Sequence, residues 1–298
     1  MLRSALSKQE KSVDNHARPP SLKPSPKPSR PPSRPPSRKP APAAAERKGA
    51  RRAADIAPSL LDALCSGQAA SASLPELLAL DQARLARSVF PDLPAPALAA
   101  IDAACAQGIL KRMQGIGAAL WAALGADGVA ACQAHRADTV RGWACFMLGA
   151  QAGQPLAARL HALRPLAADA HFGVREWAWL AVRPHLAAEL ELAIALLAPW
   201  SLEPDANLRR FASEALRPRG VWCAHIEALK RDPQQALPVL EPLRADASRY
   251  VQDSVANWLN DAAKTRPDWV RALCQSWQRA SDCAATDYIT RRALRSLK

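Results

Sequence analysis

The chain has little glycine, 12 in 298 residues, and nowhere alternates apolar with polar residues as half-buried strands do. A sheet-based fold is therefore excluded and helices dominate. No run of eighteen apolar residues occurs, so no membrane span is expected. Lys8, Gln9, Glu10 and Lys11 interrupt the N-terminus too early for the apolar core of a secretory signal. The seven cysteines are odd in number, widely spaced and without a CxxC pair, which argues for free thiols packed on helix faces in a reducing compartment. The six histidines are equally scattered, so no metal site is suggested and nothing calls for a cofactor. The cytoplasm is the expected location.

What the chain does have is proline and positive charge, unevenly placed. Met1 to Arg52 holds 14 Lys/Arg against 3 Asp/Glu, a net of +11 out of the chain's +13. Residues 19–42 read PPSLKPSPKPSRPPSRPPSRKPAP. Such a stretch favours extended polyproline II and cannot build a core. The SRPPSRPPSR repeat also fits the PxxP patterns that SH3-like domains read, but a solvated electrostatic arm is the better reading. We expect a disordered basic tail over 1–54 and an all-α domain over 55–298, itself close to neutral.

Five segments of that domain superimpose: TVRGWACFML (139–148), GVREWAWLAVRP (173–184), NLRRFASEALRP (207–218), YVQDSVANWLND (250–261) and YITRRALRSLK (288–298). Their second residues, Val140, Val174, Leu208, Val251 and Ile289, are 34, 34, 43 and 38 apart. Three follow an Asp-containing lead-in, ADAHFG, PDAN or ADASR, suited to capping the next helix. Second amphipathic stretches such as HLAAELELAIALLAPW lie between them. One helix pair at this interval is the period of a HEAT-like α-solenoid, in which equivalent positions of successive repeats come side by side. Residues 56 to about 135 are helical with blurred repeats, as in a capping half. The remaining prolines fall where helix starts and interhelical turns tolerate them.

Stacking brings Glu214 opposite Asn257 of the next repeat, and Arg217 opposite Asn260. Glu214 reads either as a surface carboxylate paired with Arg210 or Arg217 at helical spacing, or as an acid of a cleft. As a concave-face carboxylate it is expected to contribute little to packing. Asp261, at the C-terminal end of its helix, opposes the dipole; Glu176, placed in a first turn, is favoured by it. Asn257, Asn260, Asp261 and Lys264 form one polar stripe, ordinarily a solvated face. In RPRGVWC (217–223), Pro218 stops the helix and Gly220 permits an unusual turn. Arg217, Arg219 and Trp222 there can contact phosphates and stack on sugars or bases, unless Trp222 anchors the loop in the core. Trp177, Trp258 and Trp277 are expected simply to pack.

These residues also carry a resemblance. FGVREWAW, NLRRFASEALRPRGVW, YVQDSVANWLNDAAK and the terminal RRALRSL, over about 170–298, resemble the AlkC branch of the bacterial DNA alkylation-repair glycosylases, related to the AlkD branch. The resemblance implies a monomeric HEAT-like enzyme that wraps double-stranded DNA carrying alkylated bases and excises N-alkylated purines, chiefly 3-methyladenine. It implies that Glu214 and Asp261 stabilise the developing oxocarbenium and activate water, that Glu176 is the third active-site acid, and that Trp222 is the aromatic packing on the sugar or the cationic base. Arg217, Arg219, Arg249, Asn257, Asn260 and Lys264 are the DNA-binding candidates beside them. Two departures stand out. Some AlkC-like members carry a C-terminal immunoglobulin-like domain, whereas this sequence stops after its last repeat, and the basic tail is foreign to the family core. The alternative is a non-enzymatic HEAT-repeat protein that binds DNA, or another protein as a scaffold.

Overall fold

The structure, a computed structural model, describes residues 47–297. Its first five helices are α1 (Pro58–Cys65), α2 (Leu74–Ala79), α3 (Gln82–Val89), α4 (Ala95–Cys105) and α5 (Ile109–Gln133). Then follow α6 (Asp138–Ala150), α7 (Leu156–Ala167), α8 (Phe172–Ala188), α9 (Leu190–Leu197) and α10 (Ala206–Ala215). The last are α11 (Glu227–Arg231), α12 (Leu237–Leu240), α13 (Arg249–Ala263), α14 (Pro267–Ala280) and α15 (Ala284–Ala293). No strand occurs among the described residues.

The five superimposed segments are α6, α8, α10, α13 and α15, and each packs on the next. This is the HEAT-like stack expected from the repeat, with α7, α9, α11, α12 and α14 forming the second row. The 43-residue interval is the one that accommodates the RPRGVWC loop and a second helix broken into α11 and α12. Pro58, Pro75, Pro96 and Pro267 occupy first turns, where a missing N–H costs nothing. Pro184 differs from expectation: it lies inside α8, which continues to Ala188.

A recurring arginine sets the register between repeats. Arg141, Arg175 and Arg209, each third in its segment, fold back onto two carbonyls of the turn before their own helix. Arg141 and Arg209 reach onward to the lead-in aspartate of the next repeat, Asp169 at 2.7 Å and Asp246 at 2.6 Å. Both pairs are largely buried, so solvent screens them less than a surface pair. The lead-in aspartates therefore do two things. Asp205 caps α10 by accepting from Asn207 N, while Asp169 and Asp246 shape the turn and tie it to the preceding repeat.

The helix α5 is the one described helix long and apolar enough to cross a membrane by length and composition. It instead packs between α4 and α6, burying Met113, Ile116 and Leu120, and it breaks at Gly125 (φ 56°, ψ −141°), a conformation open essentially to glycine alone. Before α1, part of the expected tail is latched to the body. Arg47 pairs with the fully buried Glu76 at 2.7 Å, and the amides of Ala50 and Ala72 donate to the same carboxylate. The Arg47 hydrogen bond, opposed by burial and helped by the two amides, holds the Glu76 carboxyl down to about 2. The rest of the expected tail, 1–46, lies outside the described residues.

Candidate functional site

Glu176 and Trp179 are three residues apart on α8, so they share a face. That face meets Arg210 and Glu214 of α10, and Tyr250, Asp253, Ser254 and Asn257 of α13, to line one compartment of a cleft. A second compartment of about 440 Å³ adjoins it, sharing Glu176, Trp179, Val221 and Tyr250. Its remaining wall is apolar and aromatic: Leu74 and Leu77 from α2, Phe172, Trp177 and Leu180 from α8, and Trp222. Glu176 is thus the carboxylate that faces both a polar and an aromatic compartment.

The acids are linked by two arginines into one chain across three repeats. Arg210 meets Glu176 at 2.7 Å and Glu214 at 3.6 Å. Arg217 meets Glu214 at 2.8 Å and grips Asp261 through Nε and Nη2 at 2.9 and 2.8 Å. The second oxygen of Glu214 accepts from Ser254 Oγ at 2.6 Å. Burial opposes the charges of Glu214, Arg210 and Arg217. Even so, Arg210, Arg217 and the Ser254 hydroxyl hold the Glu214 carboxyl below its ordinary range, and the acids raise both guanidiniums above theirs. The Glu176 side chain is 35 % exposed and that of Glu214 only 5 %. Glu176 accepts from Trp179 Nε1 at 2.9 Å, which aims its carboxylate along the aromatic wall. An ionised acid held between a compartment's aromatic wall and an arginine can stabilise positive charge on a bound group without giving up its own charge.

The geometry revises several expectations. Glu214 is buried at the centre of the network, so it holds the fold together as well as lining the cleft. Glu176 is the fifth residue of α8, past the first turn, so the helix dipole does not account for it. Asp261 lies behind Arg217 and lines neither compartment; it reaches the cleft only through that arginine. The polar stripe of α13 divides. Asn257 lines the cleft, whereas Asn260 is buried and its amide nitrogen donates to Ala293 O and Ser296 Oγ. Arg217 lines the polar compartment as well, with its guanidinium paired to Glu214 and Asp261. Arg219 lines neither compartment, Lys264 is half-exposed 3.5 Å from Asp261, and Arg249 is exposed.

Trp222 is not a core anchor: it is 51 % exposed on the cleft wall, and it carries the positive φ, 64°, expected nearby. Gly220 serves another purpose, since a Cβ there would lie 2.1 Å from Cys223 Sγ. Trp177, Trp258 and Trp277 are buried, as expected of packing residues.

Sequence reasoning passed over Trp179, Tyr250 and Asp253, although Glu176/Trp179 and Tyr250/Asp253/Asn257 have the three- and four-residue spacing of one helix face. Tyr250 lies between two guanidiniums, Arg210 at 4.4 Å and Arg175 at 5.0 Å from its ring. Sequence reasoning also passed over Arg291 and Arg292 of α15 and Arg295 just after it, though not Arg249 of α13. Arg249, Arg292 and Arg291 surround the Tyr288 ring at 3.4, 5.5 and 5.8 Å, with Asp253 as the nearby acid, and Arg295 donates to Asn257 Oδ1 at 2.9 Å. Excess positive charge therefore borders the polar compartment.

Residues 165–297, from the end of α7 through α15, match the family described as DNA alkylation repair enzyme. Over 117 residues the chain is 45% identical to the uncharacterized protein YhaZ of Bacillus subtilis (strain 168), covering 39% of this chain and 32% of YhaZ. Among solved structures it resembles the alkylpurine DNA glycosylase AlkC of Pseudomonas fluorescens, solved bound to DNA containing an abasic site analog. The identity is 25% and the TM-score 0.59, over 80% of this chain and 61% of AlkC. AlkD2 from Streptococcus mutans is similar at 19% identity and a TM-score of 0.48, over 72% of this chain and 96% of AlkD2. The chain thus spans about a third of YhaZ and less than two thirds of that AlkC chain. All the residues of the acid–arginine chain fall within the family match.

Proposed function

We propose that the protein is a DNA alkylation-repair glycosylase that releases cationic N-alkylated purines, chiefly 3-methyladenine, from double-stranded DNA. The observation that carries this reading is the single chain Glu176–Arg210–Glu214–Arg217–Asp261 at a cleft walled by Trp179, Trp222 and Tyr250. Its position within the family match and the likeness to AlkC support it.

The chemistry suits these side chains. An N3- or N7-alkylated purine is already positively charged, so its glycosidic bond breaks without a general acid. As C1′–N lengthens, the electron pair goes to the base, which leaves neutral, and positive charge moves to the deoxyribose. A preformed carboxylate stabilises that charge, and a water that it orients attacks C1′ and gives up a proton to that carboxylate, leaving the sugar hydroxyl. Glu176, the acid open to both compartments, takes this role. Glu214 supplies the negative field behind it, and Asp261 fixes Arg217. Trp222 and Trp179 offer π faces to a cationic base, an attraction of about 0.5–2 kcal/mol. Phosphates of the bound strand are met by Arg249, Arg291, Arg292 and Arg295.

The test is incubation with methylated duplex DNA and analysis of the bases released. Free 3-methyladenine and matching abasic sites are expected. A protein that binds the DNA yet releases no alkylated base at any salt concentration would be a passive binder, and the reading would fall.

A further inference from the structure

Trp222 has no evident reason to stay where it is. A bulky residue at positive φ is strained, and such a conformation persists only where the surroundings impose it. Burial does not impose it, because Trp222 is 51 % and its neighbour Val221 56 % exposed. The constraint must come from the stems of the 216–224 loop.

Arg183 occupies both stems. It lies seven residues after Glu176 on α8, two turns along the same face, and only 3 % of it is exposed. Its Nη1 donates to Ala215 O at 2.8 Å and its Nη2 to Arg217 O at 2.6 Å, where the loop leaves α10. Its Nε donates to Ala224 O at 3.1 Å, where the loop returns. These partners include carbonyls that the end of α10 leaves without helical partners, and a cation at a helix C-terminus also meets the negative end of the dipole. Among the described residues Arg183 forms no ion pair, so its buried charge is answered by these carbonyls and by the face of Trp179, whose ring centroid lies 6.0 Å from Cζ. The loop fits closely around it, for a Cβ on Gly220 would lie 3.2 Å from Arg183 Cζ.

We propose that Arg183 is a positioning residue: its three-pronged grip on Ala215, Arg217 and Ala224 sets the loop so that Trp222 stands on the cleft wall. The planar fork matters more than the charge, since a lysine has one nitrogen on a flexible stem and cannot span both stems. Its consequence for base release rests on the reading of the cleft given above; its consequence for Trp222 does not.

The test uses the full chain labelled with 5-fluorotryptophan, with the Trp222 fluorine resonance assigned by its loss in Trp222→Phe. Arg183→Lys and Arg183→Met are expected to shift or broaden that resonance while the tryptophans other than Trp179, over whose ring Arg183 lies, keep theirs. Both are expected to lower release of 3-methyladenine about 10- to 100-fold, the scale of a misplaced site group. In a Trp222→Ala background Arg183→Lys should add no further loss. If the Arg183 variants fail to fold by circular dichroism, Gly220→Ala disturbs the same grip from the loop side and should move the same resonance. An unmoved Trp222 resonance in a folded variant overturns the proposal, as does an undiminished Arg183→Lys effect when Trp222 is alanine. A moved resonance in a protein that releases no base supports the grip and overturns only the excision reading.

Discussion

Replacing Glu176 and Glu214 by glutamine, one at a time, separates catalysis from stability, because the two acids share arginines but not surroundings. Glu214 is almost fully buried against Arg210, Arg217 and Ser254. Its amide isostere leaves two buried guanidiniums short of an anion, a loss of about 3–5 kcal/mol when one partner of a buried pair is removed. Glu176 is one-third exposed, and Arg210 keeps Glu214 when it is lost. Solvent screening reduces that cost to about 1 kcal/mol or less. For base release the order reverses in clarity. Glu176→Gln removes the carboxylate open to both compartments and should slow release about 10²–10³-fold, the effect of deleting one preorganised electrostatic group. Urea denaturation gives the stabilities, and single-turnover release of 3-methyladenine at a temperature where each variant is folded gives the rates. Equal stability losses in the two variants would show that burial does not govern the network. Release by Glu176→Gln at the parental rate would remove Glu176 from the chemistry.

Three further outcomes follow from other parts of the structure. Deleting residues 1–46 removes 10 of the chain's 40 Lys/Arg while keeping the Arg47–Glu76 latch, so duplex binding should weaken with a shallower salt slope at unchanged melting temperature; deleting 1–52 also strips the latch and should lower that temperature. The Glu76 carboxyl sits at about 2 against an ordinary 4.5, so its contribution to stability is present above about 4.5 and is lost as pH falls toward 2. The stability gap between the parent and Arg47→Met should therefore narrow over that window in denaturation curves at pH 7, 4 and 3. Alanine at Arg249, Arg291 and Arg295 should each reduce the salt slope of duplex binding by about one, whereas Asn260→Ala should cost stability and leave the slope unchanged.

Much of the stack was legible in the sequence because a repeat writes the same periodicity several times. Val140, Val174, Leu208, Val251 and Ile289 all lie buried in successive stacked helices, and the lead-in aspartates mark where those helices start. The resemblance named Glu176, Glu214, Asp261 and Trp222, and helical spacing put Arg210, Glu214 and Arg217 on one face. What spacing along one helix cannot convey is depth, and depth depends on what the next repeat places above each side chain. Only the packing of α13 on α10 decided that Asp261 faces Arg217 and not the cleft. Only the packing of α15 on α13 decided that Asn260 is spent on backbone and Ser296. Arg183 looked like any arginine of an amphipathic helix until the loop after α10 returned its carbonyls to it. Local periodicity follows from the chain's own geometry. The partner of each polar group follows from contacts between residues some 30 to 44 positions apart, which no local pattern encodes.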